Sequence, residues 1–89
     1  MTSLALKVYR VVLNIPVGQV RTYKWVAEEV GRPKAYRAIG QILKHNPYPL
    51  IIPCHRVVRS NGDSGGYIFG RKKKSVLLDL ERKISQMMV

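Results

Sequence analysis

The stretch Thr22–Asn46, TYKWVAEEVGRPKAYRAIGQILKHN, decides how the chain folds. Thr22 carries the short hydroxyl that caps a helix, which the pattern predicts over Tyr23 to Val30. Gly31 follows, the residue type that most readily takes the left-handed conformation ending a helix. Pro33 suits the first turn of a second helix, running from about 33 to 45. Asn46-Pro47 stops it, because proline excludes the helical conformation from the residue before it. Two short helices joined by a Gly31-Arg32 turn read as helix-turn-helix. The same pattern also fits αα-corners in proteins that never touch DNA.

Outward from that stretch, residues 3–14 set Leu4, Leu6, Val8, Val11, Val12 and Ile15 at mixed helical spacing, with Ser3 offering an N-cap. Pro16, Val17 and Gly18 close that element. After Asn46, residues 50–53 read as a buried apolar run into Pro53. Val57 and Val58 then lead to Asn61-Gly62, a hairpin signal. Gly65 and Gly66 keep the backbone open before Tyr67. From about Ser75 to Gln86, the apolar Val76, Leu77, Leu80 and Ile84 fall at helical spacing and predict a closing helix. The expected fold is mostly α: a winged-helix-like helix-turn-helix domain with a short β excursion after the Cys54 loop, in one domain over residues 1–89.

Composition narrows the function classes. Eighty-nine residues are near the lower limit at which a core holds without staples. The single cysteine, Cys54, allows no internal disulfide and fits a reducing interior. No apolar run reaches transmembrane length, and Lys7 and Arg10 interrupt the N-terminal stretch, which makes it a poor signal peptide. The expectation is a soluble, cytoplasmic protein. Sixteen Lys and Arg against five Asp and Glu leave a net charge of +11. A surplus this large attracts polyanions, so nucleic acid is favoured over a merely soluble or ribosomal-type basic protein, with an anionic membrane a distant third.

Pro53-Cys54-His55-Arg56 is the chemical focus. A thiolate is the best biological nucleophile, and positive charge on His55 and Arg56 would favour it over the thiol. In an extended segment neighbouring side chains point to opposite faces, so a water or a turn at Pro53 has to connect Cys54 with His55. Glu81 is one of only five acids available to fix the histidine. Plain readings stand beside these. A lone cysteine after an apolar run is usually a small buried hydrophobe, and a lone histidine a structural residue. Zinc on His45, Cys54 and His55 matches no known spacing or ligand count, so no metal or other cofactor is expected. A papain-like hydrolase would need a larger scaffold.

Asn46-Pro47 followed by Ile52-Pro53-Cys54-His55-Arg56-Val57-Val58 resembles the active-site signature of the O6-alkylguanine-DNA alkyltransferases, the methylated-DNA–protein-cysteine methyltransferases. The likeness runs on in order through Thr22-Tyr23, Arg37-Ala38-Ile39-Gly40, Gly66-Tyr67, Gly70, Lys74, Leu77-Leu78 and Glu81. It implies direct-reversal repair, in which Cys54 accepts the alkyl group from O6 of a flipped guanine and each molecule acts once. By the same resemblance His55 deprotonates Cys54 through water, and Glu81 orients His55. Arg37 resembles the finger that enters the duplex where the guanine leaves. Tyr23 resembles the residue that crowds the target's phosphate and donates to the flipped base. Asn46 is similar to a buried hinge tying the recognition helix to the cysteine loop. Thr22, Ala35, Tyr36, Ala38, Gly40 and Lys74 would serve DNA binding. Val57, Tyr67, Ile68 and Phe69 would border the base, with Lys74 beside Tyr67.

Departures from the family pattern are informative. Familiar members carry an additional N-terminal domain, so the chain is expected to be the catalytic domain standing alone, a monomer with several molecules able to sit along one duplex. Tyr36 stands where a small residue is usual. Ile68-Phe69 replaces a more slender pair, and a ring at Phe69 would overfill the pocket and favour methyl over benzyl-sized groups. Arg71-Lys72-Lys73-Lys74 sets cations early in the closing helix, against its dipole. Two other functions remain: a non-enzymatic lesion-binding module of the alkyltransferase-like kind, which carries another residue at the cysteine position, and a helix-turn-helix regulator. Raising salt from 50 to 200 mM should weaken binding to duplex DNA at least about 100-fold, the loss for roughly four neutralised phosphates. Fluorescence anisotropy measures this, and a flat salt dependence would count against DNA as the partner.

Overall fold

The computed structural model describes residues 2–60, 65, 67 and 69–87. Helix α1 spans Ser3–Leu13 and presents Ala5, Val8, Tyr9 and Val12 inward, a spacing that puts all four on one face. Its cap is Thr2, one residue ahead of the expected Ser3: the Thr2 hydroxyl accepts from the Ala5 amide at 3.1 Å. Strand β1 (Arg21–Thr22) runs directly into helix α2 (Tyr23–Glu29), with the Thr22 hydroxyl accepting from the Trp25 amide at 3.0 Å. Gly31 ends this helix at φ +77°, the conformation expected of it.

Helix α3 covers Tyr36–Lys44 and begins later than the proline suggests. The Ala35 amide bonds to the Arg32 carbonyl at 2.9 Å, so Pro33 sits inside a separate turn before the helix. Proline's fixed φ suits a turn as well as a first helical position, which is why the sequence alone misplaced the boundary. Ile39 and Leu43 face the core, and α2 and α3 pack together against α1. This is the helix-turn-helix.

Beyond α3 the chain departs further from expectation. Ile52 is buried, but Leu50 is 57% and Ile51 74% exposed. The reason is a turn: Leu50 adopts φ +76°, and the Ile52 amide closes back on the Tyr48 carbonyl at 2.9 Å. Residues Cys54–Arg56 form a 3₁₀ turn, followed by strand β2 (Val57–Val58). β2 pairs in parallel with β1, Arg21 opposite Val57 and Thr22 opposite Val58. A pairing between segments so far apart leaves no local trace in the sequence. Asn61 and Gly62, the hairpin signal, lie outside the described residues, as do Gly66 and Ile68.

Helix α4 runs Arg71–Met87, starting four residues before the expected Ser75. Its orientation reverses the apolar reading. Val76, Leu80 and Ile84 are 60%, 50% and 39% exposed, and only Leu77 of the expected set packs on the core. The inward stripe is instead Lys74, Leu78, Glu81 and Ser85, at helical spacing. The domain is mostly helical with a two-stranded β element, and the winged helix-turn-helix description fits it. Among the described residues no helix is long and apolar enough to cross a membrane.

Gly18 fixes how α4 approaches. It has φ +84°, and a Cβ there would stand 2.5 Å from Ser85 Cβ. Gly18→Ala should destabilise the fold by about 2 kcal/mol or more, combining a left-handed alanine with an overpacked contact. Urea unfolding checks this, and a midpoint equal to wild type would show that α4 can move aside freely.

Candidate active site and nucleic-acid groove

Cys54 opens the 3₁₀ turn and is 4% exposed. A turn at Pro53, one of the two alternatives expected for this segment, is what forms: the Arg56 amide bonds to the Pro53 carbonyl at 3.0 Å, and Cys54 and His55 both go inside. Tertiary contacts, which the sequence does not display, hold this turn. Asn46, just past α3, is fully buried; its amide donates to the Ile52 carbonyl at 2.9 Å and its oxygen accepts from the Tyr48 amide at 2.9 Å. One side chain therefore joins the end of α3 to the loop entering Cys54.

Burial pushes the Cys54 thiol above the ordinary range. The Asn46 amide, the Lys74 ammonium and the backbone amides of Cys54 and His55 favour the thiolate but do not overcome burial. The expected help from His55 and Arg56 charge is not what acts here. The cation near Cys54 is Lys74, itself fully buried, which donates to the Val57 carbonyl at 2.6 Å and to the Tyr23 hydroxyl at 3.4 Å. Lys74 thus faces the Cys54 side of α4, whereas the expectation of a DNA-contacting lysine required exposure.

His55 Nε2 lies 3.0 Å from Glu81 Oε1, within pairing distance of the carboxylate. Glu81 is held from the other side by Arg56, whose Nε and NH2 donate to its two oxygens at 2.9 and 2.6 Å. Arg56 NH1 reaches the Ile15 carbonyl at 2.8 Å. Burial alone would raise the Glu81 pKa; the hydrogen bonds from Arg56 and His55 and their charges outweigh it and hold the carboxyl below its usual value. An ionised Glu81 favours the His55 proton on Nε2, which leaves Nδ1 as an acceptor. Arg56 is a residue whose role sequence reasoning missed; its place beside Cys54 was the available signal.

Tyr67 is buried, with its ring edge-on to His55 at a centroid distance of 6.2 Å. Burial, then the nearby Cys54 and Glu81 charges, raise its phenol above the ordinary value, so the hydroxyl stays a donor. Among the described residues neither that hydroxyl nor His55 Nδ1 has a hydrogen-bond partner. Phe69 is not inside this site. A turn closed by the Gly70 amide on the Tyr67 carbonyl, with Gly70 at φ +93°, carries Phe69 outward to 48% exposure. Its ring packs edge-on against Tyr67 at 5.6 Å, with Lys73 Nζ 6.0 Å away, so it does not overfill the pocket. Gly65, at φ +78°, passes so close to Tyr23 that a Cβ would meet its hydroxyl at 2.7 Å. Val57 is wholly buried.

On the other side of Tyr23 lies an open groove of about 1010 Å³. It is lined by Tyr23, Lys24, Tyr36, Arg37, Ala38, Gly40, Gln41, Lys44, Arg59 and Ser60, among others, with four cations and no acid among the described residues. Arg37 and Ala38 are exposed, as a surface that meets a polyanion requires. Thr22 and Ala35 are not part of this lining: the Thr22 hydroxyl is committed to capping α2, and Ala35 precedes α3. Lys24, Lys44 and Arg59 were legible only as net charge. No group of three His, Cys, Asp or Glu able to hold a metal occurs among the described residues.

With this geometry established, likeness to known proteins can be read against it. Residues 3–83 match the family described as 6-O-methylguanine DNA methyltransferase, DNA binding domain. An Acanthamoeba polyphaga mimivirus protein named "Probable methylated-DNA--protein-cysteine methyltransferase" is 49% identical over 80 residues, 90% of this chain and 53% of that protein. Mycobacterium tuberculosis OGT, solved in complex with DNA, superposes with a TM-score of 0.91 at 40% identity, covering 93% of this chain and 52% of the other. S. pombe Atl1, solved with damaged DNA containing O6-carboxymethylguanine, superposes at 0.79 and 34% identity, covering 91% and 77%. The chain spans about half the length of the curated relatives it matches.

Because Glu81 sits below its usual value of 4.5, its contribution to stability is complete above that pH and is lost as pH falls through the lower folded value. Glu81→Gln should flatten this acid limb and lower stability at neutral pH by roughly 3 kcal/mol, since it strips Arg56 of its charged partner. Chemical denaturation across pH 3–7 tests this; a variant with an unchanged pH profile would remove Glu81 from the charge network.

Proposed function

Because the chain belongs to the 6-O-methylguanine DNA methyltransferase family through its DNA-binding domain, we propose that it repairs alkylated DNA by direct reversal, taking the alkyl group from O6 of guanine onto Cys54. One observation carries this reading: a buried thiol with Asn46, Lys74 and a His55–Glu81 pair around it lies one residue, Tyr23, away from a groove of cations. A base in a stacked duplex cannot reach a buried thiol, so the guanine must flip, at a cost of a few kcal/mol.

In this reading phosphates lie along Lys24, Lys44 and Arg59, Arg37 fills the gap left by the guanine, and Ala38 and Gly40 allow close approach. Tyr23, at the boundary of groove and site, crowds the target phosphate and donates to the flipped base. Tyr36 lines the same surface, with Thr22 and Ala35 next in sequence to its lining residues Tyr23 and Tyr36. The base enters beside the Val57 backbone and Tyr67, with Ile68 and the outward-turned Phe69 at the rim. His55 takes the thiol proton through a water, with Glu81 orienting it and Asn46 and Lys74 stabilising the thiolate. Sulfur then forms a bond to the alkyl carbon, the carbon–O6 bond breaks, and its electron pair stays on guanine, which receives the proton. Atoms and electrons balance between thiol and lesion, so no cofactor is required. The thioether has no easy hydrolysis route, so each molecule acts once. Residues 1–89 act as one domain, a monomer on duplex DNA, in the compartment that holds that DNA, cytoplasmic or nuclear.

Incubation with duplex containing O6-methylguanine should add one methyl mass to the peptide holding Cys54, read by mass spectrometry. Cys54→Ser should abolish transfer while leaving DNA affinity within a few-fold, because the groove does not include Cys54. Transfer that persists in the serine variant would overturn the assignment.

A further inference from the structure

Tyr36 is the first residue of α3 and lines the cationic groove directly beside Arg37. It is 47% exposed, and among the described residues no hydrogen bond or ring contact engages its side chain. Nothing in the fold explains a large aromatic there. Tyr36, Gly40 and Lys44 share one stripe of the helix, four residues apart. Gly40 has no side chain, and a Cβ on it would come only to 4.0 Å from Tyr23, so the floor between the two tyrosines is open.

The chemistry of the groove says what such a ring would meet. The cations Lys24, Arg37 and Lys44 have phosphates as their natural counterparts. An unengaged aromatic set among phosphate-binding cations has a nucleobase face as its counterpart, because stacking is the interaction every base can offer. Bases inside an intact duplex have both faces covered. One face opens when a neighbour rotates out, and the side chain next to Tyr36 is the guanidinium proposed to enter that gap.

We infer that Tyr36 is a stacking residue of the repair reaction, its ring packing on the base face uncovered when the target guanine leaves the helix. This rests on the proposed repair function. Arg37 supplies charge and a flat cation in the gap, and Tyr36 supplies apolar ring area beside it. Together they hold the duplex open longer than either alone. Because Tyr36 is exposed and unengaged, its replacement leaves the core intact.

The test compares single-turnover methyl transfer from lesion-bearing duplex with transfer from free O6-methylguanine, in wild type, Tyr36→Ala and Tyr36→Phe. Duplexes also carry 2-aminopurine beside the lesion to report stacking by fluorescence. Tyr36→Ala should slow duplex repair about tenfold or more and leave the free-base rate unchanged. Tyr36→Phe should retain both the duplex rate and the fluorescence response, because the ring and not the hydroxyl acts. A Tyr36→Ala variant that repairs duplex at the wild-type rate overturns the inference, as does equal slowing on the free base or a Tyr36→Phe that behaves like alanine. A wild type that transfers no methyl group overturns the repair function and the inference with it.

Discussion

The fork of Arg56 on the Glu81 carboxylate is the contact on which the rest of this site depends. One guanidinium joins three segments far apart in the chain: the Ile15 carbonyl after α1, its own 3₁₀ turn, and α4. A bidentate, charge-assisted pair has strict geometry, so it sets the rotation of α4 about its axis as well as its distance. That rotation turns Lys74 inward, two turns before Glu81, and sends Val76, Leu80 and Ile84 to solvent. A hydrophobic stripe would have favoured the opposite rotation. In a domain this small the polar pair prevails, because an unpaired carboxylate left partly buried costs more than a few half-exposed aliphatics.

The price of this arrangement is a core with an unusual polar content. Asn46, His55 and Lys74 are all essentially fully buried. Asn46, Lys74 and His55 find protein partners, whereas the Tyr67 hydroxyl has none among the described residues. Burial holds Cys54 as a thiol, and the groups that would stabilise a thiolate are already in position around it. In the proposed reaction the thiol would therefore need a base to remove its proton. The apolar cluster of Val8, Val12, Val26 and Ile39 that carries the fold is continuous with Cys54, Val57 and Tyr67, so the polar groups adjoin the one core.

Separation of reactive and binding surfaces follows from the same topology. α3 presents its apolar residues, Ile39 and Leu43, to α1 and α2, and its charged and aromatic residues to the groove. Cys54 opens elsewhere, behind Tyr23. Tyr23 stands at the start of α2 because Thr22 caps that helix, and its hydroxyl meets Lys74 because Gly65 leaves room beside it. In the proposed reaction a base taken from a duplex on the groove would pass this one tyrosine to reach the buried thiol.

Much of this was legible in the residues themselves. Thr22, Gly31 and Asn46-Pro47 marked the helix-turn-helix, because capping and chain termination are local chemistry. The Pro-Cys-His-Arg run and its ordered flanks marked the family, and the charge balance favoured the polyanionic partner proposed for the groove. Tertiary structure alone decided the remainder. The parallel pairing of Val57-Val58 with Arg21-Thr22, the outward turn of Leu50 and Ile51, and the placement of Phe69 at the rim all depend on contacts between distant segments. So does the inward face of α4, where periodicity found the helix but chose the wrong side. Local propensity sets where an element begins and ends; which face is buried is settled by the partners it meets, and here those partners were Arg56, His55 and Val57.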